Sequence, residues 1–156
     1  MRSLKTNLIL WRHAEAETGD GNDLERWLTP KGQKQAAKMA QWLAARLPDG
    51  SRVIASAALR ARQTASALTA AHEVDARLNP DASANDYLAV ANWPDAGGTT
   101  VLVGHQPAIG RLAARLLSGL EADWSVKKGA VWWLQYRLRD GRPQTLLKTM
   151  MSPEQL

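Results

Sequence analysis

Residues 7–13 read NLILWRH, a short apolar run that stops abruptly at Arg12 and His13. A run of this length and composition predicts a strand buried within a parallel sheet. The polar stretch that follows contains Gly19 and Gly21 and predicts a loop. The sequence therefore places Arg12 and His13 at the carboxyl end of the first strand.

Two further apolar runs predict strands of the same kind. Residues 52–55 (RVIA) end at Ser56, and residues 99–103 (TTVLV) end at Gly104 and His105. Helical patterns separate these strands, and they predict helices over residues 30–47, 59–71 and 107–117 and a short helix near 85–90. Alternating strands and helices predict βαβ units and a mostly parallel sheet with helices on both faces.

The C-terminal part of the chain has a different pattern. Residues 131–138 and 145–150 read as two strands, and Asp140-Gly141 between them is typical of a hairpin turn. The predicted fold class is therefore α/β, with three layers (α/β/α), a mostly parallel central sheet and antiparallel C-terminal edge strands. Because no internal repeat or linker is evident, we expect a single domain over residues 1–156.

The composition excludes several kinds of site. The chain has no cysteine, which excludes disulfides and thiolate chemistry, and its three histidines are not clustered in sequence. We therefore expect no metal and no cofactor. The formal charge of +5 favours anionic partners. The largest basic cluster (Arg137, Arg139 and Arg142) reads as a solvated strand end, so we expect no nucleic-acid binding.

The sequence also indicates the cellular location and the oligomeric state of the protein. The apolar run before Arg12 is too short for a signal-peptide core, and no stretch approaches membrane-spanning length. We expect a cytoplasmic protein that does not bind membranes and is a monomer.

Several reactive side chains follow the predicted strands. Ligands of open parallel sheets bind beyond the carboxyl ends of the strands. Arg12, His13, His105 and Arg60, which lies just inside the helix after Ser56, are thus expected to converge. Neutral imidazole is a competent nucleophile towards phosphorus, and arginine forks match phosphate oxygens in pairs. The helix after His105 would direct backbone N–H donors and its positive end at the same anion.

Each of these residues also has a structural interpretation. A strand-end histidine such as His13 is often merely hydrogen-bonded, and Arg12 could be an ordinary ion-paired side chain. His105 could simply lie at the start of a helix, and only one of Arg60 and Arg62 can point towards the strand ends. The prediction of a phosphoryl-transfer site rests on the joint placement of four residues.

Four motifs, in order, resemble those of the histidine phosphatase superfamily, whose fold is phosphoglycerate-mutase-like. They are LILWRHAEA at 8–16, LTPKGQKQA at 28–36, SAALRARQTA at 56–65 and VLVGHQP at 101–107. Within the superfamily the chain is most similar to the small SixA-type phosphohistidine phosphatases. The resemblance implies that His13 is the nucleophile and that Arg12, Arg60 and His105 form the phosphate pocket with it. Ser56 is expected to cap the helix that carries Arg60, or to contact phosphate.

The sequence departs from the family pattern in its general acid and at three positions: Ala14, Ala57, which replaces a frequent proline, and Gln106, where asparagine is common. Ala14 replaces the usual glycine, which requires a backbone conformation that tolerates a Cβ atom. Larger members use a carboxylate to protonate the leaving oxygen, and here no carboxylate stands out. Glu15 and Asp81 are candidates, together with Asp20 and Asp23 in the first loop, although each also has a structural interpretation.

These observations predict a metal-independent phosphatase that forms a phosphohistidine intermediate on His13. The missing acid favours phosphohistidine on a signalling protein as the substrate, because a phosphoramidate leaving group needs less protonation than an alkoxide does. Two alternatives stay open at this point. One is a phosphatase of small phosphate esters, and the other is a catalytically weak binding module that recognises phosphate through the same pocket.

Overall fold

The computed structural model describes residues 5–19 and 21–156 of the chain. Its strands and helices, in chain order, are β1 (Lys5–Arg12), α1 (Pro30–Ala44), β2 (Arg52–Ala55), α2 (Leu59–Leu68), β3 (Glu73–Val74), α3 (Ala84–Ala91), β4 (Gly98–Gly104), α4 (Ala108–Ser118), β5 (Val131–Arg139) and β6 (Arg142–Met151). Single 3₁₀ turns cover Asp23–Glu25, Ala76–Leu78 and Pro153–Gln155.

The strands form one sheet in the order β3-β2-β4-β1-β5-β6. β1 and β4 pair in parallel, as do β2 and β4 and β2 and β3. β5 pairs antiparallel with β1, and β6 pairs antiparallel with β5. The predicted mostly parallel sheet with an antiparallel C-terminal hairpin is confirmed.

Helices cover both faces of the sheet. Neighbouring residues of a strand point to opposite sides, so each strand contributes side chains to both cores. On one face, α3 and α4 pack on a set of buried strand residues: Leu8, Leu10, Ile54, Leu102 and Leu134. On the other face, α1 and α2 pack on a second set: Ile9, Trp11, Val53, Val101, Val103 and Trp133. The three-layer α/β/α architecture is therefore confirmed.

The start of α1 is fixed by the sequence around Thr29. The Thr29 hydroxyl accepts a hydrogen bond from the Gly32 N–H (2.9 Å), and Pro30 is the first helical residue. Gly32 allows α1 to approach the loop after β1, because a Cβ atom there would lie 1.9 Å from the Glu15 carbonyl oxygen. This contact holds the loop after His13 against the helix.

Some element boundaries differ from the prediction. α2 ends at Leu68 rather than at residue 71, because Thr69 takes an extended conformation. α1 ends at Ala44, three residues earlier than expected. The sequence pattern did not predict β3, a two-residue edge strand beside β2. In the part of the chain that the structure describes, no helix is both long and apolar enough to cross a membrane.

Candidate active site

The carboxyl end of β1 is held by hydrogen bonds from both sides. The His13 N–H donates to the Gly104 carbonyl at the end of β4, and the Arg12 N–H donates to the Ala130 carbonyl just before β5, both at 3.0 Å. The Gly129 N–H donates to the carbonyl oxygens of Arg12 and His13, each at 3.1 Å. The backbone that presents the His13 side chain is therefore fixed by two other segments.

The His13 imidazole is buried, neutral and oriented. His13 is only 8% exposed, and its Nδ1 lies 2.7 Å from the Ala14 carbonyl oxygen. Burial, together with the nearby charges of Arg60 and Arg12, lowers the pKa of His13 to about 4 against the opposing effect of that hydrogen bond. The ring is therefore neutral at pH 7, and because a carbonyl can only accept, Nδ1 carries the proton. Nε2 is left with a free lone pair.

His105 lies beside His13, with 5.1 Å between the ring centroids. Its Nε2 is hydrogen-bonded to the Ser56 hydroxyl at 2.8 Å. Burial, and then the charges of His13 and Arg60, lower the pKa of His105 to about 3, so this ring is also neutral at pH 7. The two histidines predicted from separate strands are thus brought together.

Ser56 has a different role from the helix cap that the sequence predicted. The residue at the N-terminal cap of α2 is Ala58, which makes no side-chain cap. The Ser56 hydroxyl accepts from the Ala58 N–H at 3.0 Å and bonds to His105 Nε2. It therefore joins the end of β2 to the end of β4 and orients His105.

The backbone at His105 is anchored by a tyrosine that the sequence analysis missed. The His105 N–H donates to the Tyr87 hydroxyl (3.0 Å), which donates to the Leu78 carbonyl (2.9 Å). Tyr87 lies so close that a Cβ atom on Gly104 would be 2.0 Å from its hydroxyl oxygen. Gly104 is thus required for this approach, and Tyr87 is a buried support of the site.

Arg12 and Arg60 lie on different elements and are each tied to the protein through a terminal nitrogen. Arg12 Nη1 donates to the Val126 carbonyl at 2.8 Å. Arg60, in the first turn of α2, donates from Nη1 to the Asp23 carbonyl (2.7 Å) and from Nη2 to the Asp23 carboxylate (3.0 Å). Arg60 is 4% exposed, whereas Arg62 is exposed and bonds to the Ala57 carbonyl. Of the two arginines, Arg60 is the one beside the strand ends.

Both arginines keep one buried donor without a partner. Among the described residues, only Arg12 Nε and Arg60 Nε are buried side-chain nitrogen or oxygen atoms that lack a hydrogen-bond partner. An unpaired buried donor on a cation is costly, and an anion that accepts from it removes that cost. The charges of these same two residues act on His13. Each arginine thus keeps one N–H donor that no described residue uses.

Thr64 and Ala14 connect the His13 loop to the helix that carries Arg60. The Ala14 N–H donates to the Thr64 hydroxyl (3.1 Å), which donates to the Arg60 carbonyl (2.8 Å). Ala14 is fully buried, and the described non-glycine residues with positive φ are Asn92 and Asp140. Ala14 therefore has an ordinary backbone conformation, and its Cβ atom is accommodated as the sequence required.

The four candidate acids differ in position. The Glu15 carboxylate accepts from the Thr29 hydroxyl (2.7 Å) at the start of α1. Asp81 lies exposed in the turn before α3, and no hydrogen bond or ion pair among the described residues joins it to either active-site histidine. Asp20 lies outside the described residues. Hydrogen bonds from Arg26 and Arg60 lower the pKa of Asp23, so this carboxyl is ionised at pH 7.

The start of α4 does not supply all the anion-binding donors that the sequence suggested. The Ile109 N–H donates to the His105 carbonyl (3.1 Å), and the Gly110 N–H donates to the Gln106 side chain (2.6 Å). Gln106 also donates to the Trp124 carbonyl at 2.8 Å. These two backbone donors are satisfied within the chain, so neither of them is free for an anion.

A comparison with known families agrees with this geometry. The model of the histidine phosphatase superfamily (branch 1) matches residues 8–91. The chain belongs to this superfamily. The matched region contains β1 with Arg12 and His13 and the start of α2 with Arg60. The protein is therefore a histidine phosphatase by family, with a phosphoglycerate-mutase-like α/β fold.

Individual relatives are similar over most of the chain. The phosphohistidine phosphatase SixA homolog of Haemophilus influenzae is 32% identical over 127 residues, which cover 70% of this chain and 76% of that protein. The protein Rv1276c of Mycobacterium tuberculosis is 34% identical over 116 residues, covering 71% of this chain and 73% of its own length.

Two solved structures share the fold over nearly the whole chain. A SixA protein of Nakamurella multipartitia is 26% identical, with a TM-score of 0.79 and coverage of 98% of this chain and 99% of that chain. The protein histidine phosphatase SixA in complex with tungstate is 25% identical, with a TM-score of 0.76 and coverage of 96% and 98%.

Proposed function

We propose that this chain is a metal-independent phosphohistidine phosphatase, a single domain over residues 1–156 that acts in the cytoplasm on a histidine-phosphorylated signalling protein. The observation that carries the proposal is the pair of unpartnered Nε–H donors on Arg12 and Arg60, two residues whose charges act on the neutral His13 imidazole. Cationic donors placed in advance are what phosphoryl transfer requires, because the protein contributes chiefly positioning and electrostatic stabilisation.

The proposed reaction has two steps. His13 Nε2 attacks the phosphorus of the substrate, a bond forms between Nε2 and phosphorus, and the bond from phosphorus to the substrate nitrogen breaks. The substrate imidazole leaves as the neutral base when its other ring nitrogen already carries a proton, and otherwise the imidazolate takes a proton from water, which leaves hydroxide. A water molecule then attacks the phosphoryl group on His13, which releases inorganic phosphate and restores the free imidazole.

The surrounding residues have distinct roles in this proposal. Arg12 and Arg60 hold the equatorial phosphoryl oxygens and balance the charge that develops on them. The Ala14 carbonyl keeps the proton of His13 on Nδ1 in the first step. When the Ser56 hydroxyl donates to His105 Nε2, the neutral His105 ring carries its own proton on Nδ1 and can donate from there to the phosphoryl group.

Phosphohistidine is favoured over phosphate esters because none of the three described candidates, Glu15, Asp23 and Asp81, is poised to protonate a leaving oxygen. Asp23 is held ionised by Arg26 and Arg60, and Glu15 is hydrogen-bonded to Thr29. An imidazole leaves with little assistance, whereas an alkoxide needs a proton donor. The H. influenzae relative is named for phosphohistidine phosphatase activity, and a solved SixA holds tungstate, a tetrahedral oxyanion.

The test compares two substrates in the presence of EDTA. Wild type, His13→Ala and the matched surface variant His72→Ala are incubated with a histidine-phosphorylated peptide and with p-nitrophenyl phosphate. We expect wild type and His72→Ala to hydrolyse both, with a higher kcat/KM for the peptide, and His13→Ala to hydrolyse neither. Preference for the ester would favour a phosphomonoesterase, and binding without turnover would favour a phosphate-recognising module.

A further inference from the structure

A groove of about 280 Å³ lies between α1 and the C-terminal 3₁₀ turn. Its described lining consists of three lysines, one carboxylate and two uncharged residues: Lys31, Lys34, Lys38, Glu154, Gln35 and Pro153. The three lysines are exposed and spaced by three and four residues, so they lie along one face of α1. We call this surface the lysine groove.

The lysine groove lies close to the candidate active site, with Gly129 between them. Gly129 contacts it directly, because a Cβ atom on Gly129 would lie 2.8 Å from Pro153 Cγ and 3.6 Å from Gln35 Cβ. The Gly129 N–H also bonds to the carbonyl oxygens of Arg12 and His13. One backbone residue thus separates the floor of the groove from the strand end that presents His13.

The charge of the groove favours an acidic ligand. Glu154 is paired with Lys127, which lies two residues before Gly129, and this hydrogen bond, with a smaller effect of the Lys31 charge, lowers the pKa of Glu154. The one carboxylate of the described lining therefore stays ionised, and a lysine from outside the groove offsets part of its charge. The three lysines of α1 remain as a positive row about 10 Å long, given the rise of an α-helix.

An acidic peptide segment fits this surface better than a nucleic acid does. A nucleic-acid strand carries a phosphate at every nucleotide, so a continuous strand would bring phosphates against Glu154. An acidic segment of a protein can place separate carboxylates over the lysines and leave a neutral residue at Glu154. The lining also contains lysines rather than the arginine forks that match phosphates.

We propose that the lysine groove is a docking surface for an acidic segment of the phosphorylated protein substrate, which it holds while the phosphohistidine occupies the His13 pocket. This inference rests on the proposed function for its substrate, but the groove can be tested separately from turnover. Its effect is on encounter and binding, because exposed charge pairs act mainly on the association rate and weaken with salt.

The test uses two synthetic phosphohistidine peptides that differ only in one flanking segment, six glutamates or six glutamines. The groove variant is Lys31→Glu/Lys34→Glu/Lys38→Glu. The matched control is Arg137→Glu/Arg139→Glu/Arg142→Glu, which makes the same change in charge at the turn between β5 and β6, at the end of the sheet away from His13. Circular dichroism and thermal unfolding establish that both variants fold.

We expect wild type and the control to prefer the glutamate peptide by about tenfold in kcat/KM at low salt, mostly through KM. The groove variant loses or reverses this preference, and a peptide with six lysines becomes its better substrate. A groove variant that retains the wild-type preference, or a control that loses it equally, overturns the proposal.

Binding separates this proposal from the proposed function. Fluorescence anisotropy measures the affinity of each protein for the unphosphorylated glutamate peptide, a DNA duplex and vesicles that contain phosphatidylglycerol. Groove-dependent binding of the peptide supports docking even if no peptide is hydrolysed, a result that would count against the phosphatase proposal alone. Groove-dependent binding of DNA or vesicles without peptide binding overturns the docking proposal.

Discussion

Arg60 is held by Asp23 through both terminal nitrogens, at 2.7 Å to the backbone carbonyl and 3.0 Å to the carboxylate. The ion pair joins a residue that is almost fully buried to a side chain that is 55% exposed. Asp23 also accepts from Arg26 at 3.1 Å. The loop after β1 is thereby fastened over the start of α2, and the guanidinium of Arg60 has a fixed orientation in the pocket.

We expect Asp23→Asn to lower kcat/KM by about tenfold because Arg60 keeps its bond to the backbone carbonyl but loses the ionic partner that helps to orient it. The loss should be the same for p-nitrophenyl phosphate and for phenyl phosphate, whose leaving group is more basic. A much larger loss with phenyl phosphate would identify Asp23 as a proton donor and contradict the positioning role. Because Asp23 is largely exposed, the midpoint temperature of thermal unfolding should change little.

The unpartnered Nε–H donors give a second prediction. Lysine retains the charge of arginine but offers no Nε–H in the same position. We expect Arg12→Lys and Arg60→Lys each to reduce kcat/KM by about 100-fold, the scale of losing one transition-state donor. Arg62→Lys, on an exposed part of the same helix, is the matched control and should behave as wild type. Equal activity of all three variants would show that the two Nε–H donors do not contribute to catalysis.

The Tyr87 hydroxyl gives a prediction about stability. Tyr87→Phe leaves the buried His105 N–H and the Leu78 carbonyl without their partner, so we expect a loss of about 1–3 kcal/mol in the free energy of unfolding. The measurement is urea denaturation, with Tyr136→Phe, at a half-buried tyrosine of β5, as the control. We also expect kcat to fall, because the His105 backbone loses an anchor. Unchanged stability would mean that water or a shifted backbone replaces the hydroxyl.

The pH dependence of His13 follows from its burial. The folded pKa of about 4 lies below the usual histidine pKa of 6.5, so the unfolded chain binds the proton more readily. The free energy of unfolding should therefore fall as the pH is lowered from about 6.5 to about 4, by about 3 kcal/mol from this group. NMR titration of the His13 ring should give a midpoint near 4, with His13→Gln used for assignment. A midpoint near 6.5 would contradict the buried, neutral imidazole.

Much of the site could be predicted because it depends on the ends of strands. An apolar run fixes where a buried strand stops, and parallel pairing brings the next residues to one edge. The positions of Arg12, His13 and His105 at strand ends therefore predict that the three side chains lie together. Arg60 followed from the helix that begins after β2.

The supporting residues could not be predicted in the same way. Tyr87 reaches the His105 N–H across 18 residues of sequence, and Asp23 reaches Arg60 across 37. Such contacts depend on how a loop or a helix packs in three dimensions, which local periodicity does not encode. β3 was missed for a related reason, because two residues are too few to show a strand pattern.

The most direct measurement traps the intermediate. Wild type, His13→Gln and His105→Ala are mixed with ³²P-labelled phosphohistidine peptide in EDTA, quenched in alkali within milliseconds and digested for mass spectrometry. The account predicts a transient, acid-labile phosphoryl group on Nε2 of His13, absent from His13→Gln. Turnover without any label on the protein, or a label on His105 that persists in His13→Gln, would contradict it.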